Sequence, residues 1–264
     1  MKMAWIKKMY GWVCGACGLL NKKGIKYGGL LAVLGIVLAV LPLQRGSDKL
    51  SLEDRIAIRE AMEDVMAKHK PDQTDQAVRS VHAKASDGNV ALTAQDEYIL
   101  SGLYYWGVLV SANRVKSFQL LRSAAEKGHA EALVELGIAY FKADGTKRNF
   151  VRSLDCFKRA AELDNPRAQV ILGLIYAFKI GYNVVPDFER GFSYIELAAG
   201  QDYPVACLEA GVFRFFGLGC EANGKIAVEW LNKAEEKGDA KIAKLAREML
   251  QAIEQWSMNE KKRK

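Results

Sequence analysis

Residues 124–141 read AAEKGHAEALVELGIAYF, and the recurrence of this pattern decides the predicted fold. Three further segments align with it: AAELDNPRAQVILGLIYA at 160–177, AAGQDYPVACLEAGVFRF at 198–215 and AEEKGDAKIAKLAREML at 234–250. The four copies begin 36, 38 and 36 residues apart. A period in this range is typical of stacked pairs of short helices. The sequence therefore predicts an all-α fold, a right-handed α-solenoid of antiparallel helix pairs over residues 76–256.

Small residues recur where neighbouring helices of such an array approach each other. Alanine pairs open the first three copies, and Leu-Gly pairs follow at Leu136–Gly137 and Leu172–Gly173. Gly128 and Gly238 fall where the second helix of a pair must end, so we expect each to form a left-handed cap. Pro166, like the proline of the following copy, lies where the next helix begins, a position that tolerates proline.

The terminal copies depart from this pattern, as expected of repeats that cap a stack. A degraded first copy runs from about Gln76 to Arg114, and in it we align Ser101–Gly102 with Leu136–Gly137. In the last copy, Ala246–Arg247 replaces the Leu-Gly pair.

Together these features resemble the Sel-one-like repeat family, which is related to the tetratricopeptide repeats. The resemblance covers about 180 of the 264 residues. It is carried by Leu136–Tyr140, Leu172–Tyr176, the Trp-Leu-Asn-Lys-Ala run at 230–234 and the loop glycines Gly107, Gly145, Gly181, Gly217 and Gly219. The resemblance implies a scaffold or adaptor that presents a concave surface to a protein partner and has no catalytic residues.

If the first helix of each pair lines the concave side, as in similar arrays, three positions per copy point into a groove. All of them are apolar: Ile99, Leu103, Trp106, Val134, Ile138, Phe141, Val170, Leu174, Ala177, Leu208, Val212 and Phe215. A contiguous apolar patch usually marks an interaction site, and an amphipathic helix or peptide would fit it. Three occupants remain open: the predicted amphipathic helix at 51–69 of this chain, a partner protein, or a second copy of the chain in self-association.

The N-terminal region carries a predicted membrane anchor. Residues 27–44 contain no charged side chain, and this length lies at the short end of a bilayer span. A cleavable signal peptide is the alternative, but the run lacks a small-residue cleavage pattern. Six lysines in the tail at 1–26 place the N-terminus in the cytoplasm. We therefore expect a single-pass protein of the bacterial inner (cytoplasmic) membrane, with residues 45–75 as amphipathic helix and linker and the repeats in the periplasm.

The charge distribution argues against nucleic-acid binding. The net charge is +7, but six lysines lie in residues 1–26 and four basic residues lie in the tail at 257–264, so the rest of the chain is slightly acidic. Phosphate binding requires cations along a groove rather than at the ends of the chain.

The sequence predicts no catalytic, cofactor or metal site. Cys14 and Cys17 form a C-x-x-C pair without a second pair or nearby histidines, so an apolar or acylated membrane-proximal pair is the better interpretation. The other three cysteines are an odd number, which counts against an oxidising compartment.

The combined prediction is a membrane-anchored protein–protein interaction scaffold or adaptor, a subunit of a bacterial envelope assembly such as a secretion or conjugation system. The alternative is a membrane-tethered regulator of a signalling or cell-wall enzyme.

Overall fold

The computed structural model describes Met66, Tyr182 and residues 70–87, 90–178 and 184–261. The predicted anchor at 27–44 and nearly all of the predicted helix at 51–69 lie outside these residues. Among the helices of the described ranges, none is both long enough and apolar enough to cross a membrane.

The described residues form ten α-helices and no β-strand. Their bounds are α1 Gln76–Asp87, α2 Ala94–Trp106, α3 Arg114–Glu126, α4 Ala130–Lys142, α5 Phe150–Glu162, α6 Pro166–Phe178, α7 Phe188–Gly200, α8 Pro204–Phe216, α9 Gly224–Lys237 and α10 Ala240–Lys261. Four repeats are present, each with a first helix (α2, α4, α6, α8) and a second helix (α3, α5, α7, α9). The predicted all-α repeat architecture is confirmed, and its right-handed stacking stays a prediction.

These residues divide into two compact units. The N-terminal unit contains Met66, residues 70–172 as far as they are described, and Tyr182. The C-terminal unit contains residues 173–178 and 184–261. The boundary falls inside α6, so this helix contributes its first half to one unit and its second half to the other.

Each second helix begins at an Asn or Asp that joins it to the first helix of its repeat. The side chain of Asn113 accepts a hydrogen bond from the Lys116 N–H at 2.9 Å, and its own N–H donates to the Tyr104 carbonyl at 2.8 Å. The same two contacts recur at the other second-helix caps, Asn149, Asp187 and Asn223. A cap of this kind stabilises a helix by about 1 kcal/mol.

The small residues of the first helices permit close helix packing, as predicted. A Cβ on Gly137 would lie 2.7 Å from Cε1 of Phe157, and one on Gly173 would lie 2.5 Å from Cγ1 of Ile195. Real Cβ atoms do not approach carbon atoms so closely, so a larger residue at either position would push the second helix away.

The predicted alignment of the first copy is wrong by one residue. Helices α2 and α4 begin 36 residues apart, and the carbonyls of Tyr104 and Tyr140 accept equivalent bonds from Asn113 and Asn149. Ser101, buried at 3% exposure, is therefore the counterpart of Gly137. The pair Ser101–Gly102 misled the alignment because both of its residues are small.

Gly238 also differs from the prediction. Gly128 has a φ of +83°, as expected for a left-handed cap, whereas Gly238 has a φ of −75°. A Cβ on Gly238 would lie 2.5 Å from the Ala234 carbonyl oxygen and 2.7 Å from Cγ2 of Ile242. Glycine at 238 is therefore explained by close packing between α9 and α10 rather than by its backbone angles.

Candidate functional site

The N-terminal unit contains a pocket of about 230 Å³ between the segment that precedes α1, the helices α1, α2 and α4, and the first turn of α6. We call it the aromatic pocket. The described residues that line it are Lys70, Pro71, Val78, Tyr98, Ile99, Ser101, Gly102, Trp106, Glu135 and Arg167.

One face of α2 forms the aromatic wall. Tyr98, Gly102 and Trp106 follow each other at intervals of four residues, so they lie on the same side of the helix. Because Gly102 has no side chain, a gap remains between the two aromatic residues. Pro71 lies over this gap, with its Cγ 3.2 Å from the point where a Cβ of Gly102 would be.

Tyr98 is held in place by His129, which caps α4. The two rings stack with their centroids 4.7 Å apart. His129 Nδ1 accepts a hydrogen bond from the Ala132 N–H, and its Nε2 lies 2.7 Å from Oε1 of Gln95. Burial lowers the pKa of His129, although Glu131 opposes the change. The imidazole is therefore neutral near pH 7, so Nδ1 can accept while Nε2–H donates.

A buried ion pair forms the charged part of the pocket. Arg167 Nη1 lies 2.7 Å from Oε1 of Glu135, and their side chains are only 14% and 7% exposed. Arg167 also lies 3.6 Å from Oε2 of Glu131, whose Oε1 accepts a hydrogen bond from Asn165. Two carboxylates thus share one guanidinium, and the group carries a net charge of −1.

The same charges act on the Tyr98 hydroxyl. Burial, together with the nearby carboxylates of Glu135 and Glu131, raises the pKa of Tyr98 to about 12, although Arg167 opposes the change. The hydroxyl therefore stays protonated across the physiological range and can donate a hydrogen bond into the pocket.

Of the predicted groove residues, only Ile99 and Trp106 line the aromatic pocket, and the Trp106 side chain is 39% exposed. Ile99 and Leu103 contact a cluster that includes Val78 and Val81 of α1. Phe141 is half-buried and stacks on Tyr182. The remaining predicted residues are at most 8% exposed: Leu103, Val134, Ile138, Val170, Leu174, Ala177, Leu208, Val212 and Phe215. Their role in partner binding stays a prediction.

Sequence reasoning missed Tyr98, Pro71 and the Glu135–Arg167 pair. One signal was present: Glu135 stands within the otherwise apolar run ALVELGIAYF, where a charge needs a partner. Arg167 follows Glu135 at a distance of one repeat less one helical turn. A search for a basic residue at that distance would have found it.

Position 209 in the C-terminal unit corresponds to position 135. Glu209 is 4% exposed, and its Oε2 has no hydrogen-bond partner among the described residues. Burial alone raises the pKa of Glu209 to about 7.

Other chemistry is not assembled in the described part of the chain. It contains no cluster of three or more His, Cys, Asp or Glu side chains that could hold a metal ion. Its cysteines, Cys156, Cys207 and Cys220, are free thiols. Burial raises the pKa of the Cys156 thiol to about 11, which disfavours the reactive thiolate.

Four consecutive segments match the Sel1 repeat family: 95–129, 130–165, 166–203 and 204–239. Together they cover more than half of the chain. Their boundaries fall at the starts of the first helices described above.

Two curated proteins are similar to parts of the chain. The ERAD-associated E3 ubiquitin-protein ligase component HRD3A of Arabidopsis thaliana is 36% identical over 63 residues, which is 24% of this chain and 9% of that protein. An uncharacterized protein of Neisseria meningitidis serogroup B is 31% identical over 119 residues, 45% of this chain and 24% of that protein. The matched region is therefore at most about a quarter of these relatives.

Two crystal structures share the fold. A Sel1 repeat protein from Oxalobacter formigenes has a TM-score of 0.55 at 21% identity, over 62% of this chain and 71% of that one. A protective antigen present in uropathogenic Escherichia coli strains, displaying an SLR fold, has a TM-score of 0.54 at 21% identity, over 85% of this chain and 49% of that one.

Proposed function

Because the chain belongs to the Sel1 repeat family, whose members serve as protein-interaction scaffolds, we propose that it is a membrane-anchored scaffold or adaptor. The observation that supports a binding role most directly is the aromatic pocket. An exposed tryptophan, a buried ion pair and an apolar wall meet there within one unit. Trp, Tyr and Arg side chains, once a partner has desolvated them, are the groups that most often dominate protein–protein binding energies.

The sequence of the N-terminal region supports the proposed anchoring. Residues 27–44 are uncharged and follow a tail with six lysines, so the proposed topology has a cytoplasmic N-terminus, one span of the inner membrane and periplasmic repeats. Alkaline phosphatase fused to the C-terminus should be active, since it folds only outside the cytoplasm, and a fluorescent protein that folds only inside should stay dark. The reverse result would contradict this topology.

The proposed partner is a protein subunit of an envelope assembly such as a secretion or conjugation system. A relative named as a component of an E3 ubiquitin-protein ligase supports membership of a larger complex in general terms. The alternative, a tethered regulator of a signalling or cell-wall enzyme, uses the same binding surface and differs in the partner.

Crosslinking in intact membranes, followed by mass spectrometry, tests both. We expect a small set of proteins to be captured by the native chain and lost with Trp106→Ala. The matched control is Trp230→Ala, which removes a half-buried tryptophan of the C-terminal unit and leaves the pocket unchanged. Equal capture by all three chains would exclude the aromatic pocket as the binding site, and capture of no protein at all would contradict the scaffold function.

A further inference from the structure

We propose that the aromatic pocket recognises an extended peptide in which a basic residue precedes a proline, and that the chain's own Lys70–Pro71 is its resident occupant. This inference rests on the proposed scaffold function and names the class of partner. The partner segment would displace Lys70–Pro71 and take its place on α2.

The first support is the way in which Pro71 is seated. Its ring carbon Cγ approaches the bare backbone at Gly102, and Tyr98 and Trp106 stand one helical turn away on either side. A Cβ at 102 would stand only 3.2 Å from Cγ of Pro71, so a larger side chain there would compete with the proline ring for space. Aromatic-lined grooves suit proline segments because the segment is already extended before binding and loses little conformational entropy.

The second support is charge. Glu131, Glu135 and Arg167 carry a net charge of −1 beside the aromatic wall, and Arg167 is committed to Glu135 at 2.7 Å. The Glu131 side chain is 41% exposed, so its carboxylate is accessible to a cation on an incoming segment. An acidic peptide would meet two carboxylates, whereas a Lys or Arg would be attracted to them. The resident occupant has this order of residues, a basic Lys70 followed by Pro71.

The third support is the space that remains. The pocket keeps about 230 Å³ with Lys70 and Pro71 present, and the Trp106 side chain is 39% exposed. The resident dipeptide therefore leaves apolar surface uncovered. A partner segment that also fills this space would bury more of Trp106 than Lys70–Pro71 does. This additional apolar burial would allow the partner segment to displace Lys70–Pro71.

Competition has a measurable consequence. A tethered occupant competes at a high effective concentration, so a free peptide binds the native chain more weakly than a chain whose occupant has been weakened. Pro71→Ala should thus increase the affinity for an added proline peptide, which is the opposite of what a merely structural proline would do.

The experiment uses the purified full-length chain and a labelled synthetic peptide with the sequence of residues 66–74, MAKHKPDQT. A second peptide replaces its proline by alanine, and a third replaces both of its lysines, which precede the proline, by glutamate. Binding is measured by fluorescence anisotropy. We expect the proline peptide to bind the Pro71→Ala chain about tenfold more tightly than the native chain, a ratio that corresponds to ~1.4 kcal/mol. The other two peptides should bind at least about tenfold more weakly than the proline peptide.

Protein variants locate the site. Trp106→Ala, combined with Pro71→Ala, should abolish binding, and Trp230→Ala in the same background should not change it. Circular dichroism checks that each variant is folded. Should Trp106→Ala fail to fold, Gly102→Val provides the same test by filling the space between the aromatic residues.

Equal binding of the proline and alanine peptides, or unchanged binding with Trp106 or Gly102 substituted, would overturn the inference. Binding of an amphipathic helical peptide or of a second copy of the chain at this pocket, without proline selectivity, would also overturn it. Membrane crosslinking separates this failure from failure of the scaffold function: proteins captured through Trp106, combined with absent peptide selectivity, would leave the scaffold in place and remove only the proline motif.

Discussion

The N-terminal and C-terminal units each have a glutamate at the same position of a first helix, but the surroundings of the two carboxyl groups differ. Glu135 and Glu209 are each the sixth residue of their helix, α4 and α8, and both are almost fully buried. Glu135 is paired with Arg167 at 2.7 Å, while Oε2 of Glu209 has no partner among the described residues and burial raises its pKa to about 7. The third repeat has Ile171 at this position, fully buried.

The comparison shows that the repeat position fixes burial but not chemistry. Glu135 is stabilised there by a cation from the first turn of the following first helix, Arg167. Where such a pair is not formed, an apolar residue such as Ile171 satisfies the position. Glu209 is a buried carboxyl at this position that has no cation beside it within the described ranges. The stability of the two units should therefore respond differently to substitution at this position and to pH.

The largest effect should follow the removal of Arg167. Arg167→Ala leaves the buried Glu135 and the partly exposed Glu131 without their shared cation, and breaking the buried Glu135–Arg167 pair in this way costs roughly 3–5 kcal/mol of unfolding free energy. Urea denaturation monitored by circular dichroism measures the loss. The control is Lys241→Ala at the matching position of α10, whose side chain is exposed, and its effect should be far smaller. Equal losses would show that Arg167 does not stabilise Glu135.

The pH dependence of Glu209 should be the next largest effect. Its pKa is about 7 in the folded state against 4.5 for the ordinary side chain, so the folded protein retains a proton that the unfolded chain releases. Below pH 4.5 both states are protonated and the stability contribution is intact. It is lost as the pH rises from 4.5 through 7, by roughly 3 kcal/mol in total.

The measurement compares the stability of the native chain and of Glu209→Gln between pH 4.5 and 8. Because other groups titrate in both proteins, the difference between the two curves reports Glu209 alone. We expect the native chain to lose stability relative to the variant as the pH rises. A flat difference would mean that the folded-state pKa of Glu209 is not raised.

Glu209→Ile should give the fourth repeat the same buried aliphatic residue that the third repeat has at this position, Ile171. Replacing a buried carboxylate without a cation by an aliphatic side chain removes its desolvation cost and adds apolar burial, so we expect a gain of about 2 kcal/mol at pH 8. The matched change Glu135→Ile should be destabilising instead, because it leaves Arg167 beside Glu131 with one carboxylate fewer. Thermal unfolding of the two variants gives the comparison directly. A gain in both would show that the Glu135–Arg167 pair makes no net contribution.

How much of this could be predicted depends on the distance along the chain over which each feature is encoded. The period, the small residues at Gly137 and Gly173 and the helical fold of the described repeats follow from local pattern, and they were predicted correctly. The first copy was misaligned because Ser101 and Gly102 are both small. The register is settled by the 36-residue spacing between the starts of α2 and α4 and by the hydrogen bond that the Asn113 N–H donates to the Tyr104 carbonyl.

The candidate site depends on contacts that no local pattern encodes. Pro71 contacts Gly102 although the whole of α1 lies between them in the sequence, and Arg167 contacts Glu135 from the next repeat. Neither contact has a spacing that a helix or hairpin dictates. The Pro71 contact becomes visible only when the helices are packed together, and Arg167 can be located from the sequence only once the repeat period is known. The apolar periodicity did identify buried side chains, such as Val134 and Val212, but periodicity alone does not distinguish a core face from a binding face.

The smallest effect concerns a second difference between the repeats, at the start of each second helix. Lys116, Arg152 and Arg190 each lie over the tyrosine ring of their own first helix, with Arg190 4.1 Å from the centroid of Tyr176. In the fourth repeat the tyrosine position holds Arg214, which contacts the Phe192 ring and pairs with Glu196, and Ile226 stands at the cation position. The cation is thus supplied by the first helix instead of the second.

Arg190→Ile should cost about 0.5–1 kcal/mol, the usual range for an exposed cation over an aromatic ring. Ile226→Arg should bring no gain, since the new cation would meet Arg214 and no tyrosine. Thermal unfolding of both variants at low and high salt tests this. A gain in stability from Ile226→Arg would contradict this expectation. It would show that the fourth repeat can hold a cation on its second helix, as the other three repeats do.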